Sequence, residues 1–196
     1  MSSASHSLTE SLRGVLMDPA AAAMLPVHGR TEAAVLVAIY RDRGDLYVIF
    51  TRRRHDLRSH PGEISFPGGR RDDHDSDLSL TALREAEEEI GLQRDDVKLL
   101  GALRPVPTVA TSFAVYPFVG MIEPGGTWTP CASEVDEVLE LSLSTLRASC
   151  TRRRLTHRGI PFRTDVYDVG EHLVIWGATA RIVSDLLARV TPVLGD

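Results

Sequence analysis

The sequence predicts an α/β (α+β) fold in which a mixed β-sheet lies between helices. Three features predict it: two β-rich runs joined by a turn, an amphipathic helical run in mid-chain, and an apolar helical pattern near the end. The 196 residues, 43% of them hydrophobic, suffice for one domain with a full core. We therefore divide the chain into a helical extension over residues 1–28 and a single domain over residues 29–196.

The N-terminal part of the chain predicts a short helix and then a β-hairpin. Leu8 to Met17 has an amphipathic helical pattern, and an Ala-rich link with Pro26 separates it from the main fold. Ala33 to Tyr40 and Leu46 to Thr51 are β-rich runs. Asp42-Arg43-Gly44-Asp45 lies between them and has the composition of a hairpin turn, so we expect the two strands to be neighbours.

A helix is predicted from about Asp77 to Ile90, with Asp75, Ser76 or Asp77 as its N-cap and Gly91 as the left-handed residue that ends it. A step of 100° per residue places three glutamates in one sector of this helix: Glu85, Glu88 and Glu89. The apolar residues fall on the opposite side, where we expect burial: Leu80, Leu83, Ala86 and Ile90.

The rest of the chain predicts further strands and two helices. The expected strands are Val97 to Ala102, Phe113 to Ile122, Val138 to Leu141 and His172 to Trp176. Pro105 and Pro107 mark a loop, and Glu123-Pro124-Gly125-Gly126 marks a turn. The expected helices are Leu143 to Ala148 and Ala178 to Val190.

Four glutamates and an arginine lie within Arg84-Glu85-Ala86-Glu87-Glu88-Glu89. Carboxylates at i, i+3 and i+4 are neighbours on a helix, and such hard oxygen ligands suit Mg²⁺ or Mn²⁺. Arg84 lies one turn before Glu88 and can brace it. A solvated acidic face would explain the same residues, because like charges on an exposed helix cost only about 0.2–0.5 kcal/mol per pair. Burial of that face decides between the two interpretations.

Composition disfavours several classes of protein. The net charge of −5 argues against general nucleic-acid binding, and no apolar run approaches the roughly 18 residues of a membrane span. We therefore expect neither nucleic acid nor membrane as a partner. Cys131 and Cys150 lack the spacing of a zinc site or a disulfide scaffold, so we expect free thiols and a cytoplasmic location.

Two motifs occur together between residues 49 and 92. The upstream motif is a set of residues at fixed spacing: Thr51, Arg53, Arg58, Gly62 and Phe66-Pro67-Gly68-Gly69. The downstream motif, Arg84 to Leu92, follows the pattern Arg-Glu-apolar-X-Glu-Glu-X-Gly-apolar. Together they resemble Nudix hydrolases of the coenzyme A pyrophosphatase group, since the downstream motif matches the end of the general Nudix box and the upstream motif matches the group's own signature.

The chain departs from this family pattern at three places. Ile49 and Phe50 stand where the signature has two leucines, and Arg54 stands where it has a small residue. The first glutamate of the box is absent: five residues on from Gly69 the count reaches Asp75, and seven residues back from Arg84 it reaches Ser76. The spacing is therefore one residue longer than in the box.

The resemblance implies a Nudix hydrolase domain with an α/β/α sandwich, a mixed sheet between helices. It also implies metal-dependent hydrolysis of the diphosphate bond of coenzyme A or acyl-CoA, giving adenosine 3′,5′-bisphosphate and (acyl-)phosphopantetheine. Two alternatives remain: a Nudix diphosphatase of another nucleoside diphosphate derivative, such as ADP-ribose, NADH or a dinucleotide, and a module that senses a nucleotide without hydrolysing it. The chain could form a homodimer.

The residue pattern and the resemblance together suggest roles for residues. The expected ligands of Mg²⁺ or Mn²⁺ are the carboxylates of Glu85 and Glu89 and the backbone carbonyl of Gly69. Glu88 is expected to be a third carboxylate ligand or the base. The expected catalytic residues are Glu88, Arg84 and Glu134, the last in a loop whose glutamate is a ligand or base in some members. The expected substrate-binding residues are Arg53, Arg58, His60, Gly68 and Arg70.

Overall fold

The structure, a computed structural model, describes residues 3–57, 60–108, 112–157, 160–170 and 173–194. The helices within these residues are α1 (Ser3–Val15), α2 (Pro19–Ala23), α3 (Leu78–Ile90), α4 (Leu143–Ser149) and α5 (Gly177–Leu194), with a 3₁₀ turn at Arg94–Asp96. The strands are β1 (Thr31–Asp42), β2 (Asp45–Arg53), β3 (Ile64–Ser65), β4 (Gly68–Arg70), β5 (Lys98–Ala102), β6 (Val106–Pro107), β7 (Phe113–Met121), β8 (Val135–Ser142), β9 (Cys150–His157), β10 (Ile160–Gly170) and β11 (Leu173–Ile175).

A mixed sheet forms the centre of the fold. Its main order is β3-β2-β1-β7-β5, and β4, β6 and β8 pair with β1, β7 and β2 respectively. The predicted hairpin is present, because β1 pairs antiparallel with β2. β1 also pairs in parallel with β7, from Thr31 opposite Phe113 to Ile39 opposite Met121. The mixed sheet between helices confirms the predicted fold class.

β1 is buried on both faces of this sheet, and its side chains alternate between two cores. Val37 and Ile39 belong to one core with residues of α1, α4 and α5, whereas Leu36 and Ala38 belong to the other with residues of α2 and α3. This strand therefore has a near-continuous apolar sequence, as strands covered on both sides do. The helices on the two faces complete an α/β/α sandwich. None of the described helices is long and apolar enough to cross a membrane.

A second sheet with the order β11-β10-β9 packs beside α4 and α5. The sequence pattern predicted only its last strand, and His172, the first residue of that prediction, lies outside the described residues. The arginine run 152–154 is on β9, where Arg153 forms a 2.8 Å ion pair with Asp168 of β10. Exposed charges of this kind obscure the apolar alternation by which a strand is recognised in sequence.

Candidate active site

The turn at Phe66-Pro67-Gly68-Gly69 leads into β4, which lies antiparallel to β1 with Gly69 opposite Ala34. Both glycines are needed for close contacts. A Cβ atom on Gly68 would lie 2.4 Å from the Ala34 carbonyl oxygen, and one on Gly69 would lie 2.4 Å from the Glu85 carboxyl carbon. The absence of side chains therefore lets α3 bring a carboxylate directly against this strand.

α3 begins and ends where the sequence predicts. The Asp77 carboxylate accepts hydrogen bonds from the backbone N–H groups of Ser79 and Leu80, so Asp77 is the N-cap. Gly91 ends the helix with φ at 74°, in the left-handed region.

The buried face of α3 matches the prediction at Leu83, Ala86 and Ile90 and differs from it at Leu80. Leu80 is 36% exposed, whereas Glu89 is only 7% exposed. The helix packs on β1 and β4, and its small residues Ala82 and Ala86 are fully buried in that interface. The side of α3 that is buried therefore includes Glu89 and excludes Leu80. The small side chains of α3 and the glycines of β4 allow the helix and the strand to approach most closely on that side.

Glu89 is a buried carboxylate in this interface. The backbone N–H of Gly68 donates a hydrogen bond to its Oε2 atom at 3.2 Å. The pKa of Glu89 is raised to about 8, mainly by burial. The Gly68 hydrogen bond and the charge of Arg53 lower it, whereas the nearby charges of Glu85 and Glu134 raise it. The pKa of Glu85 is raised as well, mainly by burial, although Arg84 opposes this shift. A solvated acidic face is therefore wrong for these two residues, while the Glu88 side chain is 60% exposed.

Arg84 joins the acidic groups into one network. Its guanidinium donates to Glu85 at 2.9 Å, to Glu88 at 3.1 Å and to the Arg70 carbonyl at 3.1 Å. It also donates to both carboxylate oxygens of Asp75, at 3.2 and 3.0 Å. Arg84 thus braces Glu88, as expected, and holds Glu85 as well.

Asp75, which the sequence offered only as a candidate N-cap of α3, is instead the partner of Arg84. Its carboxylate also accepts from the Thr81 hydroxyl at 2.9 Å and from the Asp72 backbone N–H at 3.0 Å. These donors, Arg84 first, lower the pKa of Asp75 to about 2 despite some desolvation. Asp75 therefore supplies a carboxylate close to the point in sequence where the first glutamate of the box is missing.

Arg53 and Arg70 are the two predicted substrate-binding arginines that the structure describes. The Arg53 Nε atom is buried and has no hydrogen-bond partner among the described residues, and its charge acts on Glu89. Arg70 is exposed, and within the same ranges its side chain has no ion pair. An unpartnered buried donor needs an acceptor, and none of the described protein groups supplies one.

The remaining predicted site residues lie in two loops. The His60 Nδ1 atom is 2.8 Å from a Glu63 carboxylate oxygen, so its side chain is already engaged. Arg58 lies outside the described residues. Glu134 is exposed and close enough to raise the pKa values of Glu85 and Glu89. In the described parts of the chain, no three His, Cys, Asp or Glu side chains converge as a metal shell, and the ligand set stays a prediction.

Residues 30–160 match the NUDIX domain family. The chain therefore belongs to the Nudix family, and it is a Nudix hydrolase, an enzyme that hydrolyses phosphorus-containing anhydrides; such enzymes generally use divalent cations. It is similar to proteins named uncharacterised Nudix hydrolase NudL. The Citrobacter koseri protein is 37% identical over 166 residues, which are 82% of this chain and 83% of that protein. The Escherichia fergusonii protein is 35% identical over 169 residues, 81% and 82% of the two chains.

A solved structure supports the fold. The MutT/nudix family protein from Enterococcus faecalis superposes with a TM-score of 0.56 at 15% sequence identity, covering 86% of this chain and 65% of that one. At this level of identity the likeness concerns the fold alone.

Proposed function

We propose that the protein hydrolyses the diphosphate bond of coenzyme A or acyl-CoA, giving adenosine 3′,5′-bisphosphate and (acyl-)phosphopantetheine. One observation carries the proposal: the Gly68 N–H donates to Glu89 at 3.2 Å. This contact joins the coenzyme A signature to the acidic helix, so two motifs separated in sequence form one site. The chemistry of that site suits a diphosphate, because it combines carboxylates for a cation with an arginine that has an unmet donor.

The acidic side of the site fits Mg²⁺ or Mn²⁺. Glu89 is buried and Glu85 is half-buried. Both have raised pKa values and the charge of Glu85 acts on Glu89, so a hard cation would offset their repulsion. Gly69 lacks the side chain that would occupy the space against Glu85. We propose Glu85, Glu88, Glu89 and the Gly69 carbonyl as the groups that hold the cation. When bound, the cation would polarise the phosphoryl oxygens and increase the acidity of a bound water.

The basic side of the site fits the diphosphate. We propose that the unpartnered Arg53 Nε donates to a phosphate oxygen and that Arg70 contacts the same group from the end of β4. Gly68 would bring its backbone close to the substrate. Arg58 and His60 stay predicted substrate contacts from the signature loop, and His60 would have to leave Glu63 to make one.

The proton of the attacking water needs an acceptor near the buried carboxylates. We propose Glu134 for this role, because its carboxylate is exposed to solvent yet acts on both Glu85 and Glu89. Glu88 is the alternative, although Arg84 already holds one of its oxygens. Arg84 itself serves to fix Glu85 and Glu88 relative to β4.

The proposal is tested by supplying competing substrates. The purified protein is incubated with coenzyme A, ADP-ribose and NADH in Mg²⁺ or Mn²⁺, and the products are identified by mass. Release of adenosine 3′,5′-bisphosphate from coenzyme A, with little turnover of the other two compounds, is the expected result. Turnover confined to ADP-ribose or NADH would replace coenzyme A by another nucleoside diphosphate derivative. Tight binding without turnover would indicate a sensing module instead.

A further inference from the structure

Arg54 contacts two separate loops at once. Its Nε and Nη2 atoms donate to the two carboxylate oxygens of Asp56, at 2.8 and 2.6 Å. Its Nη1 atom donates to the Ala132 carbonyl at 2.6 Å, and its backbone N–H donates to the Glu134 carbonyl at 3.1 Å. One residue therefore links the end of β2 to the segment that carries Glu134.

The segment Thr129 to Glu134, which we call the carboxylate loop, is attached on its other side to α3. The Thr129 N–H donates to the Ile90 carbonyl at 2.9 Å, and the Cys131 N–H donates to the Glu89 carbonyl at 2.8 Å. The Glu134 N–H closes a turn onto the Cys131 carbonyl at 2.9 Å. The carboxylate loop thus spans the gap between the helix that carries the glutamates and the strand that carries Arg53.

The geometry of Arg54 is more specific than that of a surface ion pair. Its side chain is 41% exposed and that of Asp56 is 64% exposed, so the pair itself adds little to stability. The two-point contact with Asp56, however, fixes the plane of the guanidinium, and this directs the remaining nitrogen at the Ala132 carbonyl. A lysine has one charged nitrogen and cannot hold both partners in this plane.

We propose that Arg54 is a positioning residue that fixes the Glu134 carboxylate relative to Glu85 and Glu89. Arg54 acts through the carboxylate loop and not on the substrate, and Asp56 orients it. This arrangement belongs to the present chain, because Arg54 stands where the coenzyme A signature has a small residue. The inference rests on the proposed role of Glu134, but it does not depend on which diphosphate is the substrate.

The test is a double-mutant cycle that joins Arg54→Ala and Glu134→Gln. The kcat and KM values are measured for both single variants and the double variant, on whichever of coenzyme A, ADP-ribose and NADH the wild-type protein turns over fastest. We expect Arg54→Ala to lower kcat by about tenfold to a hundredfold, because small misplacements of catalytic groups have effects of that size, while KM changes little. Arg54→Lys should recover only a small part of this loss. In the Glu134→Gln background, removing Arg54 should cause no further loss.

Arg52→Ala is the matched control. Arg52 precedes Arg53 on β2 and pairs with Asp136 and Glu137 of β8, whose position the β2–β8 ladder already fixes. We expect its kcat to stay within about twofold of the wild type, since exposed ion pairs contribute little. Thermal melts of all variants establish that they are folded.

Several outcomes would overturn the inference. The first two are an Arg54→Ala variant as active as Arg52→Ala and an Arg54→Lys variant with the full wild-type kcat. The others are a double variant in which the kcat losses of Arg54→Ala and Glu134→Gln multiply, and a Glu134→Gln variant with normal turnover. A protein that hydrolyses ADP-ribose but not coenzyme A would refute the proposed substrate, and the cycle measured on ADP-ribose would still decide the role of Arg54. Failure to hydrolyse any of the three compounds would overturn both proposals.

Discussion

Replacement of Asp75 by asparagine should weaken the folded state by an amount that the structure allows us to estimate. The Asp75 side chain is 8% exposed, and it accepts hydrogen bonds from Arg84, Thr81 and the Asp72 backbone. Its pKa is lowered from 3.8 to about 2. Since one pKa unit corresponds to 1.36 kcal/mol, ionised Asp75 stabilises the folded protein by about 2 kcal/mol at neutral pH.

This contribution has a defined pH window. The folded-state pKa is lower than the unfolded-state value, so the stabilisation is fully present above pH 3.8 and is lost as the pH falls toward 2. Urea unfolding in EDTA, at a series of pH values from 7 to 3, should show Asp75→Asn less stable by about 2 kcal/mol at pH 7, with a gap that narrows below pH 4. Asp73→Asn is the matched control, because Asp73 is exposed and has no hydrogen bond or ion pair within the described ranges. Equal stability of Asp75→Asn and wild type at pH 7, or a gap that widens toward acid pH, would refute the account.

Three further predictions concern the acidic helix and its strand. Glu88→Gln and Glu89→Gln should each lower turnover by about a hundredfold or more while the protein stays folded. Steady-state kinetics measure the turnover and circular dichroism measures the folding. Near-normal rates in both variants would contradict the metal-site assignment. In EDTA, Glu89→Gln should be more stable than wild type, with a difference that grows between pH 5 and pH 8. Because the pKa of buried Glu89 is raised to about 8, over this range the carboxyl ionises in the unfolded chain but stays protonated in the folded protein, and the wild type loses stability. Added Mg²⁺ should raise the melting temperature of the wild type but not of this variant. Gly69→Ala should lower kcat by about tenfold or more with little change in melting temperature, because the new Cβ atom displaces the movable Glu85 carboxylate, 2.4 Å away. Gly126→Ala is the control: its Cβ atom would lie 3.5 Å from Trp128, so this variant should behave as wild type.

The sequence predicted the structure best where neighbouring residues in the chain determine the conformation. Gly91 ends α3 because the left-handed conformation is needed there, and that need depends only on the residues of the helix end. The β1–β2 hairpin was predicted for a similar reason, since its turn residues and the apolar strands are adjacent in the chain.

The sequence was least informative where a partner distant in the chain decides the outcome. The orientation of α3 depends on β1 and β4, so helical periodicity alone placed Leu80 in the core and left the burial of Glu89 undecided. The strand containing Arg153 is held by its antiparallel pairing with β10, which hydrophobic periodicity does not report. The role of Arg54 depends on Ala132, 78 residues later in the chain, and local sequence does not predict that contact.

The attachment of β4 to β1 implies that the two walls of the site differ in their opening dynamics. Gly68 and Gly69 pair with the central strand of the sheet, at Val35 and Ala34. Amide hydrogens paired with a central strand exchange more slowly than those of loops, so we expect this glycine turn to be the more rigid wall. The opposite wall consists of short loops attached by a few hydrogen bonds to α3 and Arg54. We therefore expect any closure of the enzyme around a bound substrate to come from that side, with hydrogen exchange fast at Ser133 and slow at Gly69.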